Sequence, residues 1–403
     1  MMKLIDRPLY MERLKALKNT PDIKVITGIR RSGKSKLLQA FADLLRSSEK
    51  GCNIIYVDYS RLEFEELREY HALNDFVLKN TKAGYNNYLM IDEVQLCPNF
   101  EIVINSLHST ERYDIYITGS NAFLLSSDLA TLFTGRHIEI HVLPFSFKEY
   151  CTYFDAHDIE SAFNDYVTDG GLSGSYLYKE LHDRETYKRE IYETILTRDL
   201  TEKYRLADAQ PLYSLSEYLM DNVSNVTSPN SISGTMKANN TSMSHVSVGR
   251  YLKYLCNAFL FYKVDRYDIR GKKYLEVNNK YYLSDTGLRY AVLGRRNMDW
   301  GRIYENIVFL ELMRRGFKVY IGKLYRKEVD FVAMRGNAKL YIQVSDDISN
   351  ETTFKREVSP LLAIGDAYPK IVIARTRHEV YDHLGIRIYN LPEWLLTAES
   401  PMW

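Results

Sequence analysis

Residues 24–35 read KVITGIRRSGKS, and they are the strongest indication of the fold of the first part of the chain. Its apolar start has the character of a strand. The rest fits the phosphate-loop pattern G-x-x-x-x-G-K-[ST], with Gly28, Gly33, Lys34 and Ser35 at the fixed positions. The two glycines let the backbone turn tightly, so that successive N–H groups converge on phosphate oxygens. The lysine supplies a cation for the β- and γ-phosphates and the serine a hydroxyl for Mg²⁺, so the stretch predicts a nucleotide phosphate site.

The segment 36–45 that follows the loop is apolar at helical spacing. It predicts a helix whose first turn faces the phosphates, because the free amides and the dipole of a helix N-terminus favour anions. A chance Gly-Lys-Ser loop is the competing interpretation, and the strand before and the helix after the loop disfavour it. We expect the nucleotide to contact the whole loop, namely Gly28, Arg30, Arg31, Ser32, Gly33, Lys34, Ser35 and Lys36.

A second signature lies at residues 88–93, YLMIDE. The run is apolar, as expected for a parallel strand covered on both faces, and it ends in two acidic residues. Asp92 is predicted to hold Mg²⁺ through water, and Glu93 to polarise the attacking water as general base. Such a run alone is a weak signal. Because it follows the phosphate loop after one strand–helix unit, the two motifs together indicate a nucleotide site.

Two further candidates for catalysis follow the fourth predicted strand. Residues 114–119 run into Ser120 and Asn121, and a polar residue in that position could contact the γ-phosphate or orient water. A plain strand-ending turn is the alternative. Arg136 comes after a turn, where its guanidinium could reach the γ-phosphate of a neighbouring copy as an arginine finger. A surface salt bridge is an equally good interpretation of Arg136.

Apolar strands alternate with helical segments over the first 150 residues. This alternation predicts an α/β fold with a parallel sheet wound right-handed, and a site at the carboxyl ends of its strands. The predicted strands are residues 25–27, 53–58, 88–92, 114–119 and 138–142.

The bulk composition is that of an ordinary globular chain. Its 403 residues suffice for two or three domains, and a net charge of +1 gives no general sign of a nucleic-acid or membrane-surface protein. The four cysteines are far apart without a C-x-x-C pair, which argues against a zinc site or a disulfide framework. The sequence MMKLIDRPLYMERL lacks the apolar core of a signal peptide, and no apolar run approaches the roughly 18 residues of a membrane helix. We therefore expect a cytoplasmic protein with no membrane partner.

The motifs together resemble those of a known family. GIRRSGKS (28–35), LMIDEVQ (89–95), ITGSNA (117–122), TGR (134–136) and LPFSFKEY (143–150) are similar to the motifs of a large family of bacterial and archaeal AAA-type ATPases with a C-terminal domain of unknown function. The resemblance runs the length of the chain. It implies an AAA-like P-loop domain at 1–150, a helical lid at 151–210, a winged helix at 211–295 and a restriction-endonuclease-like domain at 296–403.

The region 211–295 also has the pattern of a winged helix in its own residues. One helix opens it, a loop rich in Asn, Ser and Thr is predicted at 222–244, a second helix begins near Ser247, and two strands flank a polar turn at 268–273. The turn and its flanks are basic and carry Arg266, Arg270, Lys272 and Lys273. Cations at a wing suit contacts with DNA phosphates. Binding to another protein is the equally weighted alternative.

In the last domain, acidic and amide residues are spaced as in the restriction-endonuclease-like core. Glu305 lies on a predicted helix, Asp330 on one strand and Gln343 on the next, where the resemblance implies a metal site that activates water. Ser345 stands where the catalytic lysine belongs, and Lys339 could replace it only by swinging into the site. We therefore expect a nuclease-like fold without cleavage activity.

These observations predict a Mg-dependent ATPase that couples ATP binding and hydrolysis to double-stranded DNA or to a protein partner. Its rate enhancement would be mainly electrostatic, with Lys34, Mg²⁺ and Arg136 neutralising the developing charge. One alternative is an ATP-gated DNA-binding switch with little turnover, and another is an active ATP-dependent nuclease. A GTPase is the weakest alternative, because no Asn-Lys-x-Asp motif follows the fourth strand. An arginine finger acting between copies would require a homo-oligomer.

Overall fold

The strands predicted in the first 150 residues form a single sheet in the computed structural model of the chain. Its described strands are β1 (Ile23–Thr27), β2 (Cys52–Asp58), β3 (Asn86–Asp92), β4 (Tyr113–Thr118) and β5 (His137–His141). Their order is β2-β3-β4-β1-β5, and all neighbours run parallel. The prediction of an α/β fold with a parallel sheet is therefore confirmed.

The structure describes most of the chain, namely residues 5–119, 133, 135–238, 243–295, 299–325 and 327–397. By their contacts the residues form two units. The first unit is Met1–Pro144 with Asn257–Phe259, and the second is Phe145–Cys256 with Leu260–Trp403.

Helices cover both faces of the sheet in the first unit. They are α1 (Pro8–Leu17), α2 (Lys34–Ser48), α3 (Tyr70–Asn80) and α4 (Phe100–Ser109), with 3₁₀ segments at Leu62–Arg68 and Val94–Leu96. Successive residues of β1 point to opposite faces: Val25 joins the core beneath α3 and α4, and Ile26 joins the core beneath α1 and α2. A strand with helices on both sides must be apolar on both sides, which explains its unbroken hydrophobic run.

The parallel order brings the two sequence motifs to one edge of the sheet. The loop after β1 and the acidic residues at the end of β3 both follow carboxyl ends of strands. β4 lies between β1 and β3, so its last residue, Thr118, stands between the loop and Asp92.

The second unit begins with helices and ends with a mixed sheet. Its helical segments are α5 (Phe147–Phe154), α6 (Ile159–Asp169), a 3₁₀ turn (Ser173–Leu177), α7 (Leu181–Thr194), a π-helix (Ile195–Glu202), α8 (Gln210–Asp221), α9 (Pro229–Ala238), α10 (His245–Asn257), α11 (Thr286–Leu293), α12 (Trp300–Arg314), α13 (Glu351–Leu362) and α14 (Leu391–Leu396). Across the described residues of both units, no helix combines the length and the apolar character that crossing a membrane requires.

The sheet of the second unit joins strands from two predicted domains. Its described strands are β6 (Phe261–Asp268), β7 (Lys273–Leu283), β8 (Lys318–Leu324), β9 (Lys327–Arg335), β10 (Ala338–Ser345), β11 (Lys370–Ala374), β12 (Tyr381–His383) and β13 (Ile386–Asn390), in the order β12-β13-β11-β10-β9-β8-β6-β7. β6 pairs antiparallel with β7 and parallel with β8. The predicted wing and the predicted nuclease-like domain thus share one sheet. The division into four domains stays a prediction.

The prediction of a loop at residues 222–244 is wrong in part, because α9 lies within that range. Ser228 and Ser231 exchange hydrogen bonds at the start of this helix: the Ser231 N–H donates to Ser228 Oγ at 3.2 Å, and the Ser228 N–H donates to Ser231 Oγ at 3.1 Å. Ile232 and Met236, one turn apart, are buried. The serine cap and the apolar pair outweigh the low helix propensity of a segment rich in Asn, Ser and Gly.

Candidate functional site

The loop between β1 and α2 has a backbone that favours glycine at two positions. Gly28 has a φ of +138°, and Gly33, which caps the start of α2, has a φ of +99°. A Cβ on Gly28 would lie 2.2 Å from the carbonyl oxygen of Val142, so this position has no room for a side chain. Arg31 also has a positive φ, +68°. These conformations fold the chain tightly at the carboxyl edge of the sheet.

We expect Gly28→Ala to destabilise the loop, because the added methyl group meets the Val142 carbonyl and the backbone conformation is strained for an L side chain. The expected cost is about 1–3 kcal/mol or more, read from thermal unfolding of the full chain. Gly51→Ala is the matched control, since Gly51 has a φ of +77° and open space around its Cβ. Equal losses in the two variants would contradict the role given to the Val142 contact.

Lys34 is buried within the loop. Its ammonium donates to the carbonyl oxygens of Gly28 at 2.9 Å and Ile29 at 3.0 Å, and the residue is only 3% exposed. The loop therefore holds a positive charge at its centre. Ser32 Oγ is also buried and has no hydrogen-bond partner among the described residues. A buried hydroxyl in that state fits a ligand with polar oxygens, such as a phosphate.

Residues before β1 tie the loop to the end of β5. The Arg7 guanidinium donates to the carbonyl oxygen of Ser32 at 3.0 Å and to that of Leu143 at 2.9 Å, and it lies 4.5 Å from the centre of the Tyr10 ring. The Tyr10 hydroxyl accepts the N–H of Leu143 at 3.0 Å. The Arg7 and Tyr10 side chains therefore link the phosphate loop to the segment that follows β5.

The end of β3 lies beside the loop. The Asp92 carboxylate is buried and accepts hydrogen bonds from the hydroxyls of Thr118 and Ser35. Burial raises the pKa of Asp92 above its ordinary value, and the two hydroxyl bonds oppose that rise. The serine of the first motif and the aspartate of the second therefore meet at one point.

Glu93 is held by its backbone and by its side chain. Its φ is +54°, its N–H donates to Thr118 Oγ1 at 3.0 Å, and its carboxylate accepts from the side-chain amide of Gln95. The Thr118 hydroxyl thus donates to Asp92 and accepts from Glu93. One hydroxyl fixes both acidic residues relative to each other.

An uncharged histidine lies on the β5 side of the loop. Thr27, the last residue of β1, is in register with His141, and its hydroxyl lies 3.0 Å from His141 Nδ1 and 2.5 Å from a carboxylate oxygen of Glu139. Burial, together with the nearby Lys34 ammonium, lowers the pKa of His141 to about 4. The imidazole is therefore neutral near pH 7 and adds no charge to that of Lys34.

The donor set fits a magnesium ion bound together with phosphates. Ser35 and Asp92 offer a hydroxyl and a carboxylate oxygen, the ligand type that Mg²⁺ prefers. Mg²⁺ usually takes one or two carboxylates from the protein and completes its shell with phosphate and water. Ser35 and Asp92 are the residues that would hold it.

Known families and a known protein are similar to this chain. Residues 20–151 match the family described as AAA domain, and residues 160–299 match a family described as a domain of unknown function. An uncharacterized protein of Haemophilus influenzae is 36% identical over 98% of this chain and 99% of its own length. The chain belongs to this family of AAA-domain proteins.

The two family matches confirm the predicted family, an AAA-type ATPase family with a domain of unknown function. An uncharacterized protein of Methanocaldococcus jannaschii is 29% identical over 83% of this chain and 77% of its own length. Among solved structures, the Aeropyrum pernix Orc1 protein in complex with DNA matches 72% of this chain and 93% of that chain, at 13% identity and a TM-score of 0.32. A likeness this distant does not bear on function.

The predicted site residues of the AAA domain lie at two places: some at the carboxyl ends of the sheet's strands and one at their amino ends. In the loop, Arg30 is half-buried, while Arg31 and Lys36 are exposed. Arg136 lies at the opposite edge, since it directly precedes β5, whose first residue pairs with the first residue of β1. It is exposed there and does not join the phosphate loop of its own chain. Asn121, with Ser120, lies outside the described residues.

Two residues of the AAA domain escaped sequence reasoning. Thr118 is a hydroxyl residue at the end of an apolar strand, but its link to Asp92 becomes visible only once β4 is known to neighbour β3. Gln95 donates its side-chain amide to the Glu93 carboxylate, and its position two residues after Glu93 in the second motif is the one signal that the sequence offers.

In the second unit, the structure gathers the predicted nuclease-like residues around a lysine. The Lys280 ammonium of β7 lies 2.9 Å from the Glu305 carboxylate and 2.8 Å from that of Glu328. The Tyr282 hydroxyl donates to Glu305 at 2.6 Å. Desolvation raises the pKa of Glu305 and of the nearby Asp330, and the Lys280 charge opposes both rises. The sequence missed Lys280, which comes from a strand of the predicted wing.

Gln343 lies beside Asp330, with its side-chain amide engaged at both ends. Its Oε1 accepts the Asp330 N–H at 2.8 Å, and its Nε2 donates to Glu357 at 2.9 Å. The Ser345 hydroxyl bonds a backbone carbonyl, and Lys339 lies over tyrosine rings rather than in the cluster. Among the residues that the structure describes, no group of three or more His, Cys, Asp or Glu side chains could hold a metal ion. That the domain does not cleave nucleic acid stays a prediction.

Proposed function

We propose that this protein binds Mg-ATP in its AAA domain and hydrolyses it, with Glu93 as the general base. The observation that carries the proposal is the convergence of Lys34, Ser35, Asp92 and Glu93 at the carboxyl edge of one parallel sheet. Phosphoryl transfer to water needs a cation, oxygen ligands for Mg²⁺ and a base beside the phosphates, which here lie around the N-terminus of α2.

Each residue has a role that follows from its chemistry. The loop amides and Lys34 would bind the β- and γ-phosphates and stabilise the charge that spreads over the transferred group. Ser35 and Asp92 would hold Mg²⁺, which supplies charge neutralisation at the β- and γ-oxygens. Glu93 would orient the attacking water and take its proton. Gln95, which bonds the Glu93 carboxylate, is a positioning residue for that base.

Arg136 is proposed to act between copies of the chain. It is exposed at the amino edge of the sheet, whereas the phosphate loop of the same chain lies at the carboxyl edge. A guanidinium placed there can meet the γ-phosphate only of a neighbouring copy. This part of the proposal therefore requires a homo-oligomer.

The second unit is proposed to couple ATP to DNA or to a protein partner. The order of elements supports the predicted winged helix: it runs α8, α9, α10 and then the β6–β7 hairpin. An isolated β-bridge also joins Thr227, before α9, to Asn279 of the hairpin. The β6–β7 turn exposes Arg270, Lys272 and Lys273. This basic turn favours a second candidate function, an ATP-gated DNA-binding switch with little turnover.

Lys34→Ala is expected to lower the affinity for Mg-ATP by about tenfold to 100-fold, because a hydrogen bond to a charged group contributes about 1.5–3 kcal/mol. Isothermal titration calorimetry with a non-hydrolysable ATP analogue measures it. Lys79→Ala, which removes an exposed lysine from α3, is the matched control and should bind normally. Normal affinity in Lys34→Ala would refute the assignment of the loop.

The rate of ATP hydrolysis by the full chain, alone and with double-stranded or single-stranded DNA, and its DNA affinity with and without ATP together separate the two candidate functions. A rate that rises with DNA supports an ATPase coupled to DNA. Steady turnover at a rate that DNA does not change supports coupling to a protein. DNA affinity that changes with ATP, while turnover stays low, supports the switch.

A further inference from the structure

Two turns at one edge of the second unit's sheet lie side by side. β6 and β8 are parallel neighbours, and the N–H of Ile269 donates to the carbonyl oxygen of Lys323 at 3.0 Å. The turns that follow β6 and β8 therefore lie next to each other at the same end of the sheet. The Arg270 guanidinium of one lies 4.8 Å from the centre of the Tyr325 ring of the other. We call residues 266–274, 323–325 and 327 the paired turns.

The paired turns expose two aromatic rings. Tyr274 is 61% exposed and Tyr325 is 64% exposed. Tyr274 leans on Tyr267 and Tyr320, whose ring centres are 5.4 and 5.1 Å away, yet most of it faces solvent. Tyr325 has a φ of +55°, a conformation that Asn or Gly adopts at lower cost. Both rings leave most of their surface in solvent, and Tyr325 does so at a backbone cost, which points to a ligand for both.

The same turns are basic. Their exposed or half-buried cations are Arg266, Arg270, Lys272, Lys273, Lys323 and Lys327. Asp268 is the one acidic residue within the paired turns, and its carboxylate already accepts the N–H groups of Arg270 and Gly271 at 3.1 and 3.0 Å. The surface therefore presents a positive field that attracts phosphates.

We propose that the paired turns bind single-stranded nucleic acid, with the cations on its phosphates and the rings of Tyr274 and Tyr325 stacked on unpaired bases. Proteins hold single strands by combining a basic track with exposed aromatic rings, because every base has a face that can stack. The bases of a duplex already stack on one another, so a duplex can use the cations but not the rings. The inference deepens the proposed function by naming the partner class, and it rests on that function only for the link to ATP.

The test is fluorescence anisotropy of the full chain without nucleotide. The probes are labelled oligothymidylate, oligouridylate and mixed-sequence duplex DNA, each of about 20 nucleotides. At about 0.1 M salt we expect a single strand to bind at least about tenfold more tightly than the duplex. The tighter of the two single strands identifies DNA or RNA as the source. Equal or tighter binding of the duplex would overturn the proposal.

The variant Tyr325→Asn distinguishes a loss of nucleic-acid binding from a loss of stability. Because Asn tolerates the left-handed backbone better than Tyr, the variant should melt at the same temperature or higher, while losing about tenfold in affinity for the single strand. Tyr274→Leu should lose a similar factor. Tyr85→Leu is the matched control in the first unit, since Tyr85 is 49% exposed and lies 5.6 Å from the Lys82 ammonium. Unchanged affinity in both test variants, or equal loss in the control, would overturn the inference.

ATP affinity is measured on the same preparations, so that the two proposals fail separately. A chain that binds ATP but no oligonucleotide overturns this inference alone. A chain that binds oligonucleotide through the two tyrosines but no ATP overturns the proposed function and leaves the inference standing.

Discussion

Glu93→Gln is expected to lower the rate of ATP hydrolysis by about 100-fold or more, since a general base typically contributes about 10²–10⁴-fold. The amide keeps the shape of the carboxylate but cannot take a proton from water. Lys34, Ser35 and Asp92 are untouched, so the affinity for Mg-ATP should stay within about twofold. Single-turnover hydrolysis and equilibrium binding on one preparation measure both quantities.

Two comparison variants make this result specific to the base. Glu111→Gln changes an exposed carboxylate of the same domain and should leave the rate unchanged. Gln95→Ala removes the amide that holds the Glu93 carboxylate, and it should slow hydrolysis less than the loss of Glu93 itself. Normal turnover by Glu93→Gln would mean that another group activates the water.

Lys280→Met is expected to cost about 3–5 kcal/mol in the free energy of unfolding. Methionine keeps the apolar stem of the side chain but removes the ammonium that lies 2.9 Å from the buried Glu305. That carboxylate then has no cation to offset its loss of water. Urea denaturation at pH 7 measures the difference. Lys263→Met is the matched control, because Lys263 pairs with Asp265 at the surface, with side chains 42% and 41% exposed, and should cost at most about 1 kcal/mol.

The cost of Lys280→Met should shrink as the pH falls. Desolvation already raises the pKa of Glu305 above its usual value, and without the lysine it rises further. The folded variant then binds a proton at a pH where the unfolded chain, with a glutamate pKa near about 4.3, does not. Its stability relative to the wild type therefore increases from pH 7 toward about pH 5. A cost independent of pH would show that lost packing, rather than an uncompensated charge, causes the destabilisation.

The nucleotide motifs could be predicted from sequence because each is local. Gly28, Gly33 and Lys34 lie within one loop, and Asp92 ends a strand whose apolar run marks it as buried. The alternation of strands and helices likewise gave the parallel sheet.

The rest depends on pairings between distant parts of the chain. Thr118 fixes Asp92 and Glu93 only because β4 lies between β1 and β3. Lys280 meets Glu305 only because the predicted wing joins the sheet of the last domain, so a lysine distant in sequence from Ser345 reaches the cluster. Arg136 follows the phosphate loop in sequence, but the direction of β5 puts it at the other edge of the sheet.

The shared sheet has a practical consequence for dissecting the chain. A fragment ending at residue 295 would keep β6 and β7 but lose β8, which leaves the backbone of residues 266–268 paired on the β7 side alone and Tyr267 open to water. An unprotected strand edge recruits strands from other molecules and leads to aggregation. Oligomers formed by such a fragment would therefore say nothing about the assembly of the intact chain, on which an arginine finger between copies depends.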